Sequence, residues 1–469
     1  VIKNKIIKII KDTIIGTSFK NNVFIAGGFV RDYIMNRPSK DIDIVVSNNG
    51  INGGIDLAYL LHKKFNTSTP VVFKRFGTAQ LVLNGQEIEF VATRKESYNF
   101  EDRNPEVSFG TIEDDVKRRD FTINALLYDI SNEKIIDLIG GIFDIKNKII
   151  RTTSNPKVIF AEDPLRIFRA IRFSAQLGFA IDTKTMLAIK EYVPWLKNIS
   201  NERIRDELNK ILISDHAIDG LWYMKTTGIL EYLIPEFKEL YKIKNQGKYH
   251  TKDLWRHTLE VINNSTPTVE HRLAGLLHDI GKIKTMTVDG NNVHFYKHQF
   301  VSQRIAHRFL TKYKYTNTQV EWITNSIMMH MNFVDKILEK TIRKMVNKYG
   351  KEQFLFFTDL GLADSKRAER RKIVEDIIYF VKNDDFVQEV QIKLPIDGNM
   401  IMSRYGLKPS KRVGELLTIE KEYLFEFPEA TEDELYHKLD IEMVDSNGNL
   451  TIYQYIKPEK PAEFISIDF

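Results

Sequence analysis

Two aspartates, Asp41 and Asp43, stand close behind a Gly27-Gly28 pair in the stretch VFIAGGFVRDYIMNRPSKDIDIVV, Val23 to Val46. Carboxylates spaced by two on a strand point to the same face, where they can hold a divalent metal between protein and phosphate. Glycines between a strand and a helix let a backbone approach that phosphate closely. Strand, Gly-Gly, helix with Arg31, then Asp-x-Asp is a plan for metal-assisted phosphoryl transfer. A second group lies in AEDPLRIFRAIRFSAQLGF, where Asp163, Arg166, Arg169 and Arg172 recur at steps of three. A carboxylate beside a guanidinium can read a base edge: the Asp accepts from the N4 amine of cytosine or the N6 amine of adenine, and the Arg donates to ring acceptors. Guanine O6 and uracil O4 would face the carboxylate acceptor against acceptor, at a cost on the order of 1–3 kcal/mol. A third group is the His278-Asp279 pair inside LLHDIGK, which is expensive to bury without a metal ion.

These groups need elements to place them. Val23–Ala26 reads as a buried strand, the segment around Val30, Tyr33 and Ile34 as a short helix, and Asp41–Val46 as a second strand. Residues 57–65 read as a helix and 71–73 as a strand. Gln80–Leu83 turns through Asn84-Gly85 into Glu87–Ala92, a hairpin signal. Glu89 is in phase to become a third carboxylate beside Asp41 and Asp43. Residues 94–112 are polar and loop-like. Leu165, Phe168 and Ile171 form an apolar row parallel to the arginines, with Pro164 at the helix start and Gly178 at its stop. The tail from Asp440 is strand-like, with Ile452, Tyr453 and Tyr455.

At 469 residues the chain implies two to four domains, and 43% hydrophobic content is ordinary for globular folds. The net charge of +5 permits a polyanionic partner. No cysteine is present, which excludes disulfides and thiolate metal sites and fits a reducing cytoplasm. Lysines interrupt the apolar residues of the N-terminal stretch, so it lacks a signal-peptide core. No run approaches the roughly 20 apolar residues of a membrane span.

Val23 to Val46 resembles the palm signature of DNA polymerase β-type nucleotidyltransferases. More closely, it resembles the class II tRNA nucleotidyltransferases (CCA-adding enzymes) and their bacterial poly(A) polymerase relatives. Arg118-Arg119-Asp120 opens a match to the family motif RRDFT-x-N, and Glu162-Asp163 through Arg166 is similar to its base-reading EDxxR. NERIRDELNKIL, Asn201 to Leu212, matches a segment that follows. Arg203 and Arg205 there suit RNA or triphosphate contact, or helix salt bridges with Glu202 and Glu207. Trp255 to Lys282 with Asp364 resembles the HD domain, a helical metal-dependent phosphohydrolase fold.

The resemblance implies an α+β protein. It would comprise a polymerase-β-like palm over 1–150, a helical neck over 151–245, an HD domain over 246–385, and a helical tail over 386–469 with a tRNA contact, Lys408, Lys411 and Arg412 being its candidates. Asp41 and Asp43 would hold Mg²⁺ as the catalytic pair. Gly28, Arg31 and Arg119 would cradle the triphosphate, with Asp120 and Asn124 holding a ribose or orienting the arginine. Asp163 and Arg166 would read the base, and Arg169 and Arg172 would support the arginine array. His257, His278, Asp279 and Asp364 match the four HD metal-ligand positions; His298 and His330 match the extra histidines of catalytic members. Residues 94–112 correspond to the family's flexible segment, at full length. The implied activity is cytoplasmic, template-independent addition of CCA to the tRNA 3′ end from CTP and ATP. A poly(A) polymerase or A-adding enzyme, an HD phosphohydrolase with an RNA-binding palm, and a tRNA-binding chaperone remain alternatives.

Overall fold

The computed structural model describes residues 4–39, 41–97, 106–244, 253–290, 292–333, 337–383, 394–427 and 430–443. Its N-terminal part is built by alternating strands whose one face is wholly apolar. In chain order it comprises α1 (Lys5–Ile14), β1 (Val23–Ala26), α2 (Gly28–Ile34), β2 (Ile42–Val46), α3 (Gly53–Phe65), β3 (Val71–Phe73), β4 (Thr78–Leu83) and β5 (Gln86–Ala92). There follow β6 (Arg94–Ser97), β7 (Glu106–Phe109), α4 (Ile112–Lys117), β8 (Leu127–Asp129), β9 (Lys134–Ile136) and α5 (Gly141–Asn147). Seven strands form one sheet in the order β3-β4-β5-β2-β1-β8-β9, with β2 and β5 parallel. Ile42, Ile44, Val46, Ile88, Phe90, Ala79 and Leu81 all point to the face that shares a core with Ile6, Ile10 and Ile14 of α1 and Leu57, Ala58 and Leu61 of α3. The period-2 alternation therefore sends Asp43 and Glu89 to the other face, where a smaller core of Phe24, Ala26, Val45, Val116, Ala125 and Leu127 covers only part of the sheet.

The β4–β5 hairpin turns on Asn84 and Gly85, both at positive φ (53° and 77°), as an Asn-Gly turn requires. Where a polar loop was expected, β6 and β7 pair antiparallel, Arg94 to Phe109, and Ile112 opens α4 under a Thr111 capping box. Alternation of Val107 and Phe109 was the signal for this ribbon. Asn104-Pro105, the centre of the expected loop, lies outside the described residues.

A helical region follows: β10 (Ile149–Ile150), α6 (Pro156–Glu162), α7 (Leu165–Leu177), β11 (Ala180–Ile181), α8 (Thr183–Tyr192), α9 (Asn201–Leu212), α10 (Ala217–Thr227), α11 (Ile229–Leu233) and α12 (Phe237–Leu240). α7 buries Leu165, Phe168 and Ile171 and stops at Gly178, left-handed at φ 68°. Next come α13 (Leu254–Asn264), α14 (Val269–Leu277), α15 (Lys282–Thr285), the hairpin β12 (Met286–Asp289) and β13 (Asn292–Phe295), α16 (His298–Lys312) and α17 (Asn317–Met329). The last helices are α18 (Glu339–Tyr349), α19 (Lys351–Asp364), α20 (Ala368–Asn383), α21 (Gly398–Tyr405), α22 (Lys411–Glu426) and α23 (Glu432–Glu442).

The chain divides into two compact units, residues 1–334 with 356–371, and residues 335–355 with 372–469. One apolar core runs through the first unit from α1 to Ala363. The second has its own, around Ile396, Ile401, Tyr405, Leu416, Leu435 and Leu439. Residues 440–442 finish α23, so the tail is helical there rather than strand-like; a Thr431 capping box starts that helix. Ile452, Tyr453 and Tyr455 lie outside the described residues. Lys411 and Arg412 both face Glu415 within α22, a surface helix pairing. No helix among the described residues is long and apolar enough to cross a membrane.

Gly77 joins β3 to β4 at φ 61°, and a Cβ there would collide with the backbone oxygen of Ile51. Gly77→Ala should therefore lower stability by about 2–3 kcal/mol, read as a fall in urea midpoint at unchanged m-value.

Candidate active site

A cavity of about 590 Å³ opens where β1, β2, the α4–β8 connection and α7 converge. Its lining includes Gly28, Arg31, Asp41, Asp43, Arg119, Asp163, Arg166, Arg169 and Arg172, so all the residues the sequence assigned to the palm and the base reader come together. Asp43 is in register with Ala26 of β1 and with Glu89 of β5. Gly27 lies between strand and helix at φ 75°, and a Cβ on it would lie 3.5 Å from Asp43 Oδ2 and 3.6 Å from an Arg119 nitrogen. Glycine thus allows both the left-handed turn and the close approach of β1 to the acids.

Burial pushes the Asp43 carboxyl up; Arg119 opposes the rise and Asp41 adds to it. Glu89 is likewise raised, by burial first and by Asp43 next. The oxygen donors Asp41 and Asp43 suit a hard divalent cation such as Mg²⁺, which would relieve the cost of charge on the buried Asp43.

Opposite the acids the cleft is cationic, and each arginine is held. Arg31 donates from Nη1 to Asn124 Oδ1 (2.7 Å) and from Nε to Asp32 (2.9 Å). Arg118 and Arg119 share the buried Asp115, Arg119 at 3.1 and 2.9 Å. Asp120, also buried, accepts from Phe121 N (2.8 Å), Asn124 Nδ2 (3.2 Å) and Arg169 Nε (2.8 Å). Burial disfavours its charge, but Arg169 and these hydrogen bonds outweigh that and hold the carboxyl below its usual range. Arg172 lies 3.0 Å from Glu207 of α9. Phe173 packs at the centre: the Arg31, Arg169 and Arg172 guanidinium carbons lie 5.3, 5.4 and 4.4 Å from its ring centroid.

The base reader differs from the expected helix pair. Asp163 sits outside α7, with φ −143°, and its Oδ1 accepts from Leu165 N at 3.0 Å as a cap. Pro164 starts the helix and forces this extended conformation on the residue before it. Asp163 and Arg166 are thus not side-by-side on a helix face; Asp163 Oδ2 faces Arg203 at 3.5 Å. Arg166 donates from Nη1 to Glu162 Oε2 (2.9 Å) and from Nη2 to the Arg118 carbonyl (3.0 Å). Two N–H groups, on Nε and Nη2, lie outside these described hydrogen bonds and form one donating edge.

Sequence reasoning missed the anchors. Asp115 and Glu162 were visible at i,i+4 from Arg119 and Arg166. Glu207 was taken as a partner of its own helix, and only the packing of α9 on α7 brings it to Arg172. Arg205 donates instead to the Lys314 carbonyl and to Asp206.

A second cluster lies on α13, α14, α16, α17 and α19. Asp279 Oδ2 is 3.3 Å from His257 Nε2, 3.2 Å from His278 Nε2 and 2.7 Å from Lys282 Nζ. Its Oδ1 is 3.0 Å from His298 Nε2 and 3.9 Å from His330 Nε2. Asp364 Oδ1 is 3.1 Å from His257, and its Oδ2 accepts from Arg370 at 2.9 Å. Nδ1 of His278, His298 and His330 each meets a carbonyl three residues earlier, at 2.8, 2.9 and 2.5 Å. That hydrogen bond fixes the tautomer with Nε2 bare and turned to the centre, as metal-bound histidines need. Burial, with His278 and His298 nearby, pushes His330 down to about 3, so it is neutral at pH 7. Burial works against charge on Asp279 and Asp364, yet the surrounding histidines, Lys282 and Arg370 hold both carboxyls well below the usual range. Imidazoles with ionised carboxylates are the donor set of a divalent metal centre, and two overlapping groups, His257-His278-Asp279 and Asp279-His298-His330, share Asp279. His294 is outside it, stacked on Tyr296.

Three family models match the chain in this order: the poly A polymerase head domain over residues 23–151, the probable RNA and SrmB-binding site of polymerase A over 178–241, and the HD domain over 254–380. A CCA-adding enzyme of Streptococcus pyogenes is 28% identical over 402 residues, 84% of this chain and 86% of that one. The chain carries a poly A polymerase-type head and an HD domain, and is similar to CCA-adding enzymes. Among solved structures, the Bacillus stearothermophilus CCA-adding enzyme in complex with CTP aligns over 92% of this chain and 95% of its own, with TM-score 0.62 and 21% identity. The Thermotoga maritima CCA-adding enzyme complexed with tRNA aligns over 93% and 96%, with TM-score 0.55 and 21% identity. At that identity these two show the fold, an α+β nucleotidyltransferase head with helical neck and HD domain.

The Asp120–Arg169 pair ties head to neck. A depressed folded pKa contributes stability that is present above the unfolded pKa of about 3.9 and is lost as pH falls through the folded one. Asp120→Asn should destabilise by about 3 kcal/mol at pH 7, Arg169 being one-third exposed. The gap from wild type should shrink as pH falls below about 4, in melting curves recorded across pH.

Proposed function

We propose that the chain adds C, C and A to the 3′ end of tRNA, using CTP and ATP and releasing pyrophosphate. The observation that carries this reading is a single cleft that brings Asp41 and Asp43 together with Asp163 and with Arg31, Arg119, Arg166, Arg169 and Arg172. The CTP and tRNA named with the two structural neighbours support the same substrates.

Asp41 and Asp43 hold Mg²⁺, with Glu89 beside them. Bound there, the metal supplies a lowered pKa for the acceptor 3′-hydroxyl and charge neutralisation for the α-phosphate and pyrophosphate. Arg31 and Arg119 receive the triphosphate, and the backbone at Gly28 approaches it without a side chain in the way. Asp120 and Asn124 hold Arg169 and Arg31 in place, so these cations meet the substrate already oriented. Asp163 accepts the amine that cytosine and adenine share. The Nε–Nη2 edge of Arg166 donates to cytosine N3 and O2 or to adenine N1, while Glu162 and the Arg118 carbonyl keep that edge aimed. Guanine and uracil place an acceptor against Asp163 and are refused.

A second activity is favoured by the histidine cluster: phosphohydrolase chemistry at a centre with His257, His278, Asp279 and Asp364 as one ligand set and His298 and His330 extending it. A divalent metal there supplies an activated water and a Lewis acid for a phosphate ester. Lys282 and Arg370 orient the two aspartates.

The test offers tRNAs ending at the discriminator base, at C or at CC, with each NTP and Mg²⁺, and sequences the products. Addition of C, C, A and then a stop is expected. A long A tail or A on CC ends alone would replace this reading with a poly(A) polymerase or A-adding enzyme. Asp43→Asn should lower incorporation by at least about 10³-fold while CTP binding changes little. Asp163→Ala should lower the preference for C and A over U and G by about 5–150-fold. His278→Ala should retain CCA addition and lose bound metal, measured by elemental analysis of the purified full chain after metal loading. Equal metal content in wild type and variant would end the second reading.

A further inference from the structure

We propose that the open face of the head sheet beyond Asp43 is the docking platform for the single-stranded 3′ end of the RNA acceptor, with Phe73 stacking on one of its bases. The proposal rests on the nucleotidyl-transfer reading, in which an acceptor hydroxyl must reach Asp43.

Register places this face. Asp43 pairs with Glu89, Glu89 with Gln80, and Gln80 with Val71, so the four side chains form one row across β2, β5, β4 and β3. At about 4.8 Å per strand, Val71 lies about 14 Å from Asp43. On the β1 side of Asp43 this face is covered by Val116 of α4, packed on Phe24, Ala26, Val45 and Leu127. On the β3 side no apolar core covers it among the described residues, though Thr78 opposite Phe73 is buried and Arg94 reaches the Phe76 carbonyl. Glu89 and Gln80 are half-buried, and Val82, Val71 and Phe73 are 48%, 57% and 45% exposed. Single exposed apolar residues are ordinary. These three share one face of two adjacent strands: Val82 is the diagonal neighbour of Val71, and Phe73 lies two residues along from it.

Charge selects the occupant. Phe73 leads directly into exposed Lys74 and Arg75, and the Arg75 guanidinium lies 5.8 Å from the Phe76 ring. An aromatic ring on an open sheet face, flanked by cations, is the arrangement that binds single-stranded nucleic acid: the ring takes a base and the cations take the backbone. The direction agrees with the chemistry. The arginine side of the cleft, with Arg31, Arg119, Arg169 and Arg172, receives the triphosphate, so the acceptor strand must leave Asp43 the other way, along the row that ends at Val71 and Phe73.

The experiment compares full-length wild type, Phe73→Ala and Phe73→Tyr in CTP incorporation on a tRNA ending at its discriminator base. Phe73→Ala should raise the KM for RNA about tenfold, with the KM for CTP and kcat within about twofold, and Phe73→Tyr should restore the RNA KM. Lys74→Ala with Arg75→Ala should reduce the salt dependence of RNA binding. An unchanged RNA KM in Phe73→Ala overturns the proposal, as does a variant whose only change is in self-association by sedimentation, which would make the face a contact between copies. Were wild type to transfer no nucleotide, the parent reading would fall separately. The platform would then be judged by crosslinking RNA carrying a 3′-terminal 4-thiouridine: a crosslink in the peptide holding residues 71–76 supports it, and crosslinks only elsewhere overturn it.

Discussion

Guanidinium groups that share one cleft repel each other, and the arrangement that overcomes this repulsion organises the N-terminal unit. Arg31, Arg169 and Arg172 all lie near the ring of Phe173, whose π faces offer electron density but no net charge. The countercharges come from separate segments: Asp32 on α2, Asp115 on α4, Asp120 before β8 and Glu207 on α9. Holding the cations in place therefore requires α7 to meet the Asp120 segment on one side and to pack against α9 on the other. Catalytic geometry and the join between head and neck are one structure, so Asp120 is both a structural ion-pair partner and a part of the cleft wall.

The histidine cluster reverses the signs under the same rule. There the buried centre is a carboxylate, Asp279, and its surroundings are imidazoles whose outward nitrogens are tied to their own helices. Lys282 and Arg370 stand in contact with the two acids. The arginine cleft keeps an excess of positive charge for an anionic substrate. The histidine cluster gathers imidazole nitrogens around buried carboxylates, a donor set that suits a cation. Two sites with opposite appetites coexist in one unit because each is closed off by its own hydrogen-bond shell.

The fold was legible wherever periodicity and turn chemistry agreed: β1 and β2, the Asn84-Gly85 hairpin, α7 between Pro164 and Gly178. The lining of the cleft was legible because Asp-x-Asp and the arginine steps are short-range patterns. What was not legible depended on distance in the chain. Glu207 reaches Arg172 only through helix packing, and the displacement of Asp163 from α7 follows from Pro164, whose effect on its predecessor outweighed the i,i+3 spacing. The β6–β7 ribbon was hidden by the polar composition of its sequence, and the end of α23 by the strand-like composition that follows it. Phe173 carries no sequence signal of its own, and only the arginines gathered on its ring reveal its place.

The grip on Arg166 has an evolutionary side. Two of its three nitrogens are engaged by Glu162 and by backbone carbonyls, and the remaining edge is aimed by those bonds. On the proposed base-reading role, a change of nucleotide preference made at Arg166 alone would also remove the ion pair that Arg166 makes with Glu162. New base preference would require paired changes on the α6–α7 corner, with the single-step intermediates less fit than either end. The corner thus makes the nucleotide alphabet of such an enzyme resistant to gradual change.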